Sequence, residues 1–367
     1  MNIKGGKVID SGGYGCLFVP PLKCKSKNTN TKNIISKLMT QKNAEREHNN
    51  NKKIHKLVSK IPNWKHYFIF SIQYCTPKKL TKKDLKQFNK KCKTLSKKHY
   101  SKQTINKRID NLKILQFPYG GKTLESFIYQ DITYDYDIFS NLNLNLINFL
   151  KHGIVPMNNI NVYHLDIKDT NVLIGDEQKL KLIDWGLSAV INKDLPYHIY
   201  NKSVQFNYPF TSILLNTMFL KNLVEYMNMN GNDVSNLTLF IQKYFDDNIS
   251  PFYGEGHFEY LEEIFSKFTG NKNPRDVVFS FCANSIIQHM KNGVFDHRTY
   301  FEKTFIKNVD IWGFLSIYMS FLLVNIKNIN KIKKIHQNIE KILFKYLFNN
   351  YKIIDINNLY IDLQKIL

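Results

Sequence analysis

The amino-acid sequence predicts an α+β fold with two parts, a small strand-rich part followed by a larger, mostly helical part. Short β-like segments separated by turns occupy the chain as far as a Pro/Gly-rich joint, Pro118-Tyr119-Gly120-Gly121. Beyond this joint, apolar residues recur at helical spacing almost to the end of the chain. Because Pro and Gly interrupt helices and strands, the joint is a candidate boundary between domains at residues 1–118 and 119–367.

The composition indicates a folded protein. The chain has 367 residues, of which 43% are hydrophobic and 14% aromatic, enough to bury a substantial core. The formal net charge is +22, but Lys, Asn and Ile are abundant throughout while Arg occurs only four times. A phosphate-reading surface usually contains Arg as well, so the charge alone does not predict nucleic-acid binding.

The cysteines and the apolar segments predict an intracellular, cytoplasmic protein that does not enter a membrane. The five cysteines form no C-x-x-C pair and are odd in number, and the N-terminus shows no signal peptide, which favours reduced thiols. The longest uncharged apolar run, Ile311–Val324, is too short to cross ~30 Å of hydrocarbon. We interpret it as a buried core helix.

A glycine-rich turn separates the first two predicted strands. Residues 7–19 read KVIDSGGYGCLFV and contain Gly12, Gly13 and Gly15. Glycines let backbone N–H groups approach a phosphate closely, so the turn is a candidate phosphate-binding loop. A simple hairpin turn explains the pattern equally well.

The next two elements carry one candidate residue each. A predicted third strand, Asn33–Met39, contains Lys37. A helix follows from about residue 44, in which Ile54 and Val58 succeed Glu47 at i+7 and i+11. Helical phase therefore points Glu47 inward, and a solvent-facing acid on a charged helix is the alternative.

Two more strands are predicted at Tyr67–Cys75 and Leu112–Phe117, with a basic segment between them. From Lys78 to Arg108 the only acid is Asp84. We interpret residues 77–110, approximately, as a solvated and partly helical insertion. The same residues are a candidate docking site for an acidic protein or a nucleic acid.

Residues 162–188, VYHLDIKDTNVLIGDEQKLKLIDWGLS, concentrate polar side chains around a predicted hairpin. Apolar runs flank the turn Gly175–Gln178, and this pattern predicts two short paired strands. Such a hairpin brings Asn171 and Asp184 close together beside Asp166. Converging oxygen ligands of this kind are what Mg²⁺ requires.

Helices account for most of the remaining sequence, after an irregular stretch that reaches about residue 207. The predicted helices are Thr123–Ile128, Asp137–Leu150, Phe210–Met227, Leu237–Phe245, Phe258–Phe268, Val277–Met290 and further helices within Ile332–Leu367.

The ordered set of motifs resembles that of eukaryotic-type protein kinases. Residues 164–171, HLDIKDTN, match the catalytic-loop pattern H-R-D-L-x-x-x-N except at Leu165 and Ile167, and Asp184-Trp185-Gly186 matches D-F-G with Trp in place of Phe. Residues 9–18 resemble the glycine-rich loop. The resemblance covers most of the chain and implies a two-lobed kinase-like fold, with a small antiparallel sheet lobe containing one main helix and a larger helical lobe.

The larger lobe is implied by two further features. One is Asp310-Ile311-Trp312-Gly313, which resembles the start of the buried helix in that lobe. In the catalytic-loop motif, His164 would be a scaffold residue rather than a catalyst. About a hundred residues separate this helix from Val204–Phe210, the nearest stand-in for the A-P-E motif. An insertion at about residues 211–308 and a rebuilt substrate platform follow from that spacing.

The kinase template implies roles for the residues of the central stretch. Asp166 would accept a hydrogen bond from the substrate hydroxyl, and Lys168 would neutralise charge on the γ-phosphoryl group. Asn171 and Asp184 would hold Mg²⁺. Lys168 is typical of Ser/Thr kinases rather than Tyr kinases, so the implied reaction transfers the ATP γ-phosphoryl group to a protein hydroxyl.

The same template implies how ATP is bound. Lys37 would bind the α- and β-phosphates while paired with Glu47, beneath the backbone of Gly12, Gly13 and Gly15. At the joint, Phe117 would be the gatekeeper, Pro118 would offer a carbonyl to adenine and Gly120 an N–H, since Pro118 has none. The alignment at the joint is open to a shift of one or two positions.

One substitution in the kinase pattern bears on regulation, and the composition of the chain bears on its source. Leu165 replaces the Arg that often receives a phosphorylated activation loop, which predicts activity independent of such phosphorylation. The Lys/Asn/Ile bias and the insertions resemble divergent kinases of giant nucleocytoplasmic DNA viruses, although an AT-rich protist gives the same composition. The alternative function is a pseudokinase or nucleotide-binding scaffold.

Overall fold

The computed structural model describes residues 7–26, 33–130, 136–191, 199, 202–270, 272–324 and 329–367. The chain divides into two compact units. The first comprises the residues up to Gly121 together with Ile183–Gly186, and the second comprises Lys122–Leu182 and the residues from Leu187 onward. The return of four residues to the first unit was not anticipated from the sequence.

The first unit is built on a five-stranded antiparallel sheet with the order β1-β2-β3-β5-β4. Its strands are β1 (Lys7–Ser11), β2 (Gly15–Val19), β3 (Ile34–Thr40), β4 (Gln73–Cys75) and β5 (Leu112–Pro118). Helix α1 (Gln41–Val58) buries Glu47, Ile54 and Val58, the face that its periodicity predicts. The structure thus combines an antiparallel sheet with many helices, as the α+β prediction requires.

The predicted strand at residues 67–75 is wrong over most of its length. Only Gln73–Cys75 pairs with β5. Phe68, Ile69 and Phe70 are buried without lying in a strand. A short apolar run indicates burial, but it does not by itself distinguish a strand from an irregular buried segment.

The basic segment is part of the core rather than a solvated insertion. It contains two single-turn helices, α2 (Phe88–Lys91) and α3 (Lys93–Ser96). Its apolar side chains, including Phe88 and Leu95, belong to the same buried cluster as Val8 of β1. Its lysines are largely exposed, so this correction concerns the apolar residues that lie between them.

The expectation of reduced thiols is also wrong for four of the cysteines. Cys16 is bonded to Cys92 and Cys24 to Cys75, across 76 and 51 residues of sequence. Cys282 is free and buried. Pairings over such distances cannot be read from spacing alone.

The second unit is mainly helical and contains short sheets. The described α-helices are α4 (Leu124–Gln130), α5 (Tyr136–Phe149), α6 (Val155–Asn159), α7 (Thr217–Asn230), α8 (Val234–Tyr244), α9 (Ser250–Tyr253), α10 (Phe258–Phe265), α11 (Pro274–Gln288), α12 (His297–Tyr300), α13 (Ile306–Leu322), α14 (Ile329–Leu343) and α15 (Ile356–Gln364). The strands are β6 (Lys122–Thr123), β7 (Val162–Tyr163), β8 (Val172–Ile174), β9 (Leu180–Leu182), β10 (Ala189–Val190), β11 (Met290–Lys291) and β12 (Val294–Phe295).

Two elements of the second unit position the polar residues of the central stretch. The predicted hairpin forms as β8 and β9, with Val172 opposite Leu182. Helix α13 contains the apolar run at residues 311–322 and is buried on every face, which is typical of a core helix. Among the described helices, none is long and apolar enough to cross a membrane.

Candidate active site

Lys37 lies between two carboxylates in the first unit. Its side chain is almost fully buried, and its Nζ is 2.9 Å from both carboxylate oxygens of Glu47. The same Nζ is 3.5 Å from Oδ1 of Asp184. Burial opposes the positive charge, but the carboxylates of Asp184 and Glu47 outweigh it and raise the pKa of Lys37. The ammonium is therefore charged at every physiological pH.

Asp184 is held by its neighbour Trp185. The Trp185 side chain is completely buried, donates its indole N–H to the carbonyl of Ile69 over 2.8 Å and stacks on Phe70 at 4.4 Å. Its own carbonyl accepts from the amide of Asn50 on α1 over 2.6 Å. Asp184 itself has φ of 63°, a left-handed conformation that is uncommon for a residue other than Gly and is often found at functional sites.

The three glycines of the glycine-rich turn differ in the space that surrounds the position of a Cβ. A Cβ at Gly12 or Gly13 would meet open space, with the nearest atom 4.0 Å away or farther. A Cβ at Gly15 would lie 2.6 Å from the carbonyl of Leu38. Close pairing of β2 with β3 therefore explains Gly15, whereas steric crowding does not explain Gly12 or Gly13.

The predicted hinge residues lie at the end of β5. Phe117 is opposite Ile35, and Lys37 is opposite Leu115, so Phe117 shares a sheet face with Lys37. Pro118 is exposed and Gly120 is buried.

In the second unit, Asp166 is surrounded by nitrogen donors. Nζ of Lys168 is 3.0 Å from its Oδ1, and the amide of Asn171 donates to its Oδ2 over 2.9 Å and to its carbonyl over 2.8 Å. The amide of Asn207 also donates to Oδ1, over 3.0 Å. These contacts fix the carboxylate, and they turn the side-chain oxygen of Asn171 away from Asp166.

Asp310 on α13 holds the backbone of the loop that contains Asp166. Its two carboxylate oxygens accept the N–H groups of His164 and Leu165 over 2.8 and 2.9 Å. Burial raises the pKa of Asp310 to about 7, although these two hydrogen bonds act in the opposite direction. One turn later, a Cβ at Gly313 would lie 2.6 Å from the carbonyl of Ile167. The helix can approach the loop only because this position is Gly.

Leu165 is a buried residue with φ of 61°. Its carbonyl accepts from the hydroxyl of Tyr208. Lys202 lies 4.1 Å above the Tyr208 ring, and burial lowers the pKa of this lysine to about 8, against the opposing effect of Asp166. Tyr208 is thus attached to Leu165 through its hydroxyl and the Leu165 carbonyl.

Residues within the predicted insertion, 211–308, contact residues 203–206 directly. The N–H of His257 donates to the carbonyl of Val204 over 2.9 Å, and Nδ1 of His257 accepts from Phe206 over 3.3 Å. The hydroxyl of Ser203 donates to the carbonyl of Gly254 over 2.5 Å. Residues 203–206 are therefore held by hydrogen bonds to residues 254–257.

The residues present fit Mg²⁺ only together with a phosphate ligand. Within the described ranges, no three His, Cys, Asp or Glu side chains cluster as a metal site. One or two protein ligands plus substrate phosphates are, however, the usual coordination of Mg²⁺ in phosphotransferases. Asp184 in the first unit and Asn171 in the second each carry side-chain oxygen, the ligand type that Mg²⁺ prefers.

The structure gathers the predicted residues into two groups. Lys37, Glu47 and Asp184 meet in the first unit, and Asp166, Lys168 and Asn171 meet in the second. Asn207 and Tyr208 are contacts that the sequence analysis missed. Their only signal was their position in the segment that stands in for the A-P-E motif.

Comparisons with known proteins add little to this geometry. No family model matches the sequence, and no curated protein matches it. Among solved structures, the chain is similar to the Cydia pomonella granulovirus kinase PK-1, with 15% identity and a TM-score of 0.32. The superposition covers 54% of this chain and 61% of that chain. A TM-score of this size supports no functional argument, so function must be argued from the residues.

Proposed function

We propose that this chain is a Ser/Thr protein kinase that transfers the γ-phosphoryl group of ATP to a protein hydroxyl. The observation that carries the proposal is the position of Lys37, buried between Glu47 and Asp184. Burying the Lys37–Glu47 ion pair carries a desolvation cost, and charged groups in such environments cluster at functional sites. A fixed lysine next to a partly exposed carboxylate suits an ATP phosphate and its divalent cation.

In the proposed reaction, each group has one task. Lys37 binds the α- and β-phosphates. Asn171 and Asp184 would hold Mg²⁺, which would neutralise phosphate charge when bound. Asp166 accepts the proton of the substrate hydroxyl while the hydroxyl oxygen of the substrate bonds to the γ-phosphorus. The bond to the bridging oxygen breaks, and ADP leaves. Lys168, paired with Asp166, stabilises the charge of the transferred group.

The experiment compares γ-phosphate transfer by the wild type, Asp166→Asn and Asp184→Asn, with Asp247→Asn as a control at an exposed acid. We expect transfer by the wild type and the control and a loss of at least about 100-fold in the two site variants. Equal incorporation in all four would refute the catalytic assignment. Nucleotide binding without transfer in any variant would favour the pseudokinase. Phosphoserine and phosphothreonine in the product would establish the acceptor class.

The proposal includes independence from activation-loop phosphorylation and kinship with divergent giant-virus kinases. Buried Leu165 offers no cation to a phosphate, while Tyr208 and Asn207 attach the following segment through hydrogen bonds. Phosphatase-treated enzyme should retain its activity. Loss of activity on phosphatase treatment would contradict this part of the proposal.

A second proposal concerns the exposed lysines of the basic segment. They form an outward surface over a buried apolar side, which suits an acidic protein or a nucleic acid. Binding of duplex DNA or an acidic peptide should weaken steeply between 50 and 200 mM salt, by about 10-fold or more. Salt-independent binding, or none, would dispose of it.

A further inference from the structure

The basic segment contacts the glycine-rich turn through Thr94. The hydroxyl of Thr94 donates to the carbonyl of Gly12 over 2.5 Å, and its backbone N–H donates to Oγ of Ser11 over 3.1 Å. The two hydroxyls are themselves 3.0 Å apart. Since the Thr94 proton is committed to Gly12, Ser11 donates to Thr94 in this pair. Three hydrogen bonds therefore join α3 to the first half of the turn.

The second half of the turn is tied to the same segment by other contacts. Cys16, the residue after Gly15, is bonded to Cys92, two residues before Thr94. Before the turn, the ammonium of Lys91 donates to the carbonyl of Ile9 over 3.4 Å. Both ends of the turn are thus fixed to residues 91–94.

The segment that holds the turn is itself packed into the core of the first unit. Phe88, Cys92 and Leu95 are fully buried in the cluster that also contains Val8 and Cys16. The turn is consequently anchored to a packed layer and not to a solvated loop.

The bond to Gly12 sets the direction of a backbone donor. In a trans peptide the C=O and the following N–H point in opposite directions. Holding the Gly12 carbonyl toward Thr94 therefore directs the N–H of Gly13 away from the basic segment. A peptide between two glycines has little steric preference of its own and could rotate without this bond.

We infer that Thr94 is a positioning residue that orients the Gly13 N–H for the ATP phosphates. This inference rests on the proposed kinase function, because it assigns the turn to phosphate binding. It gives the basic segment a role in nucleotide binding in addition to any partner that its lysines attract.

The test compares Thr94→Val, Thr94→Ser and Thr104→Val. Valine keeps the shape and the backbone N–H of Thr94 but removes the hydroxyl, whereas Ser restores it. Thr104 is the matched control, because its hydroxyl bonds to nearby Ser101 in the same segment. The readouts are the dissociation constant for ATP with Mg²⁺, KM and kcat, and hydrogen exchange of the amides of residues 12–15.

We expect Thr94→Val to raise the dissociation constant and KM for ATP about 3- to 10-fold with a smaller change in kcat, since one hydrogen bond orients the loop. Exchange at residues 12–15 should accelerate, and Thr94→Ser and Thr104→Val should resemble the wild type. Unchanged ATP binding by Thr94→Val would overturn the inference. If the wild type binds no ATP, the proposed function fails and the nucleotide role of Thr94 with it, while the exchange comparison still decides whether the tether exists.

Discussion

The indole N–H of Trp185 donates to the carbonyl of Ile69, a bond that a Phe side chain, which has no N–H, cannot make. It attaches the residue after Asp184 to an irregular buried segment of the first unit. The carboxylate that contacts Lys37 is therefore positioned by an aromatic side chain with a polar anchor.

Replacing Trp185 with Phe should lower both stability and activity. The variant leaves the buried carbonyl of Ile69 without this donor, which costs about 1–3 kcal/mol. Looser placement of Asp184 should then reduce the rate of phosphate transfer. Urea unfolding and a kinase assay measure the two effects. The control is Trp64→Phe, which changes an aromatic contact with the same Phe70, and equal behaviour of the two variants would count against the anchoring role.

The Lys37–Glu47 pair predicts different outcomes for stability and activity. Lys37→Met leaves Glu47 buried without its main partner and should cost about 3 kcal/mol of unfolding free energy. The double variant Lys37→Met/Glu47→Leu removes both charges and should recover most of that loss, because apolar replacement of a buried pair is often neutral. Neither variant should transfer phosphate.

Denaturant unfolding of both variants checks this prediction, with Lys52→Met on the exposed face of α1 as the control. If the double variant is no more stable than Lys37→Met, the two charges are not coupled as described.

Asp310 predicts a pH dependence of stability. Its folded pKa is about 7, well above the value near 3.9 of an unfolded Asp, so the folded protein holds a proton that the unfolded chain releases between these limits. Its contribution to stability is therefore greatest at low pH and decreases as pH rises to about 7. The advantage of the wild type over Asp310→Asn in unfolding free energy should fall by roughly 2–3 kcal/mol between pH 5 and 8. The exposed Asp247→Asn should show a flat difference, and an advantage that grows with pH would contradict the prediction.

The sequence was informative where periodicity and motif order constrain a residue locally. Glu47 was assigned to the inner face of α1 from the spacing of Ile54 and Val58, and the structure buries all three. Contacts made over long distances in sequence were not accessible in this way. The bond from Thr94 to Gly12 and the hydroxyl of Tyr208 on Leu165 depend on how segments pack, and the isolated segments carry no signal for either.

The basic segment shows the same limit in its composition. Its lysines dominated the pattern and indicated solvent, although Phe88 and Leu95 lie in the core. Long side chains at the surface can surround buried apolar residues without any regular period, so composition understated the packing.

The disulfides give a prediction that separates the two units. Cys16–Cys92 and Cys24–Cys75 both lie in the first unit, and each closes a long loop. Reduction should therefore lower the unfolding free energy of the first unit by about 2–4 kcal/mol for each bond.

Cys282 is buried, and burial raises the pKa of its thiol, so it should react with an alkylating reagent only after unfolding. Peptide mapping of oxidised protein should find the two linked pairs, with the Cys16→Ser/Cys92→Ser variant retaining only the second. Five free thiols after unfolding of the oxidised protein without a reductant would refute the pairing and remove the disulfide attachment of the glycine-rich turn.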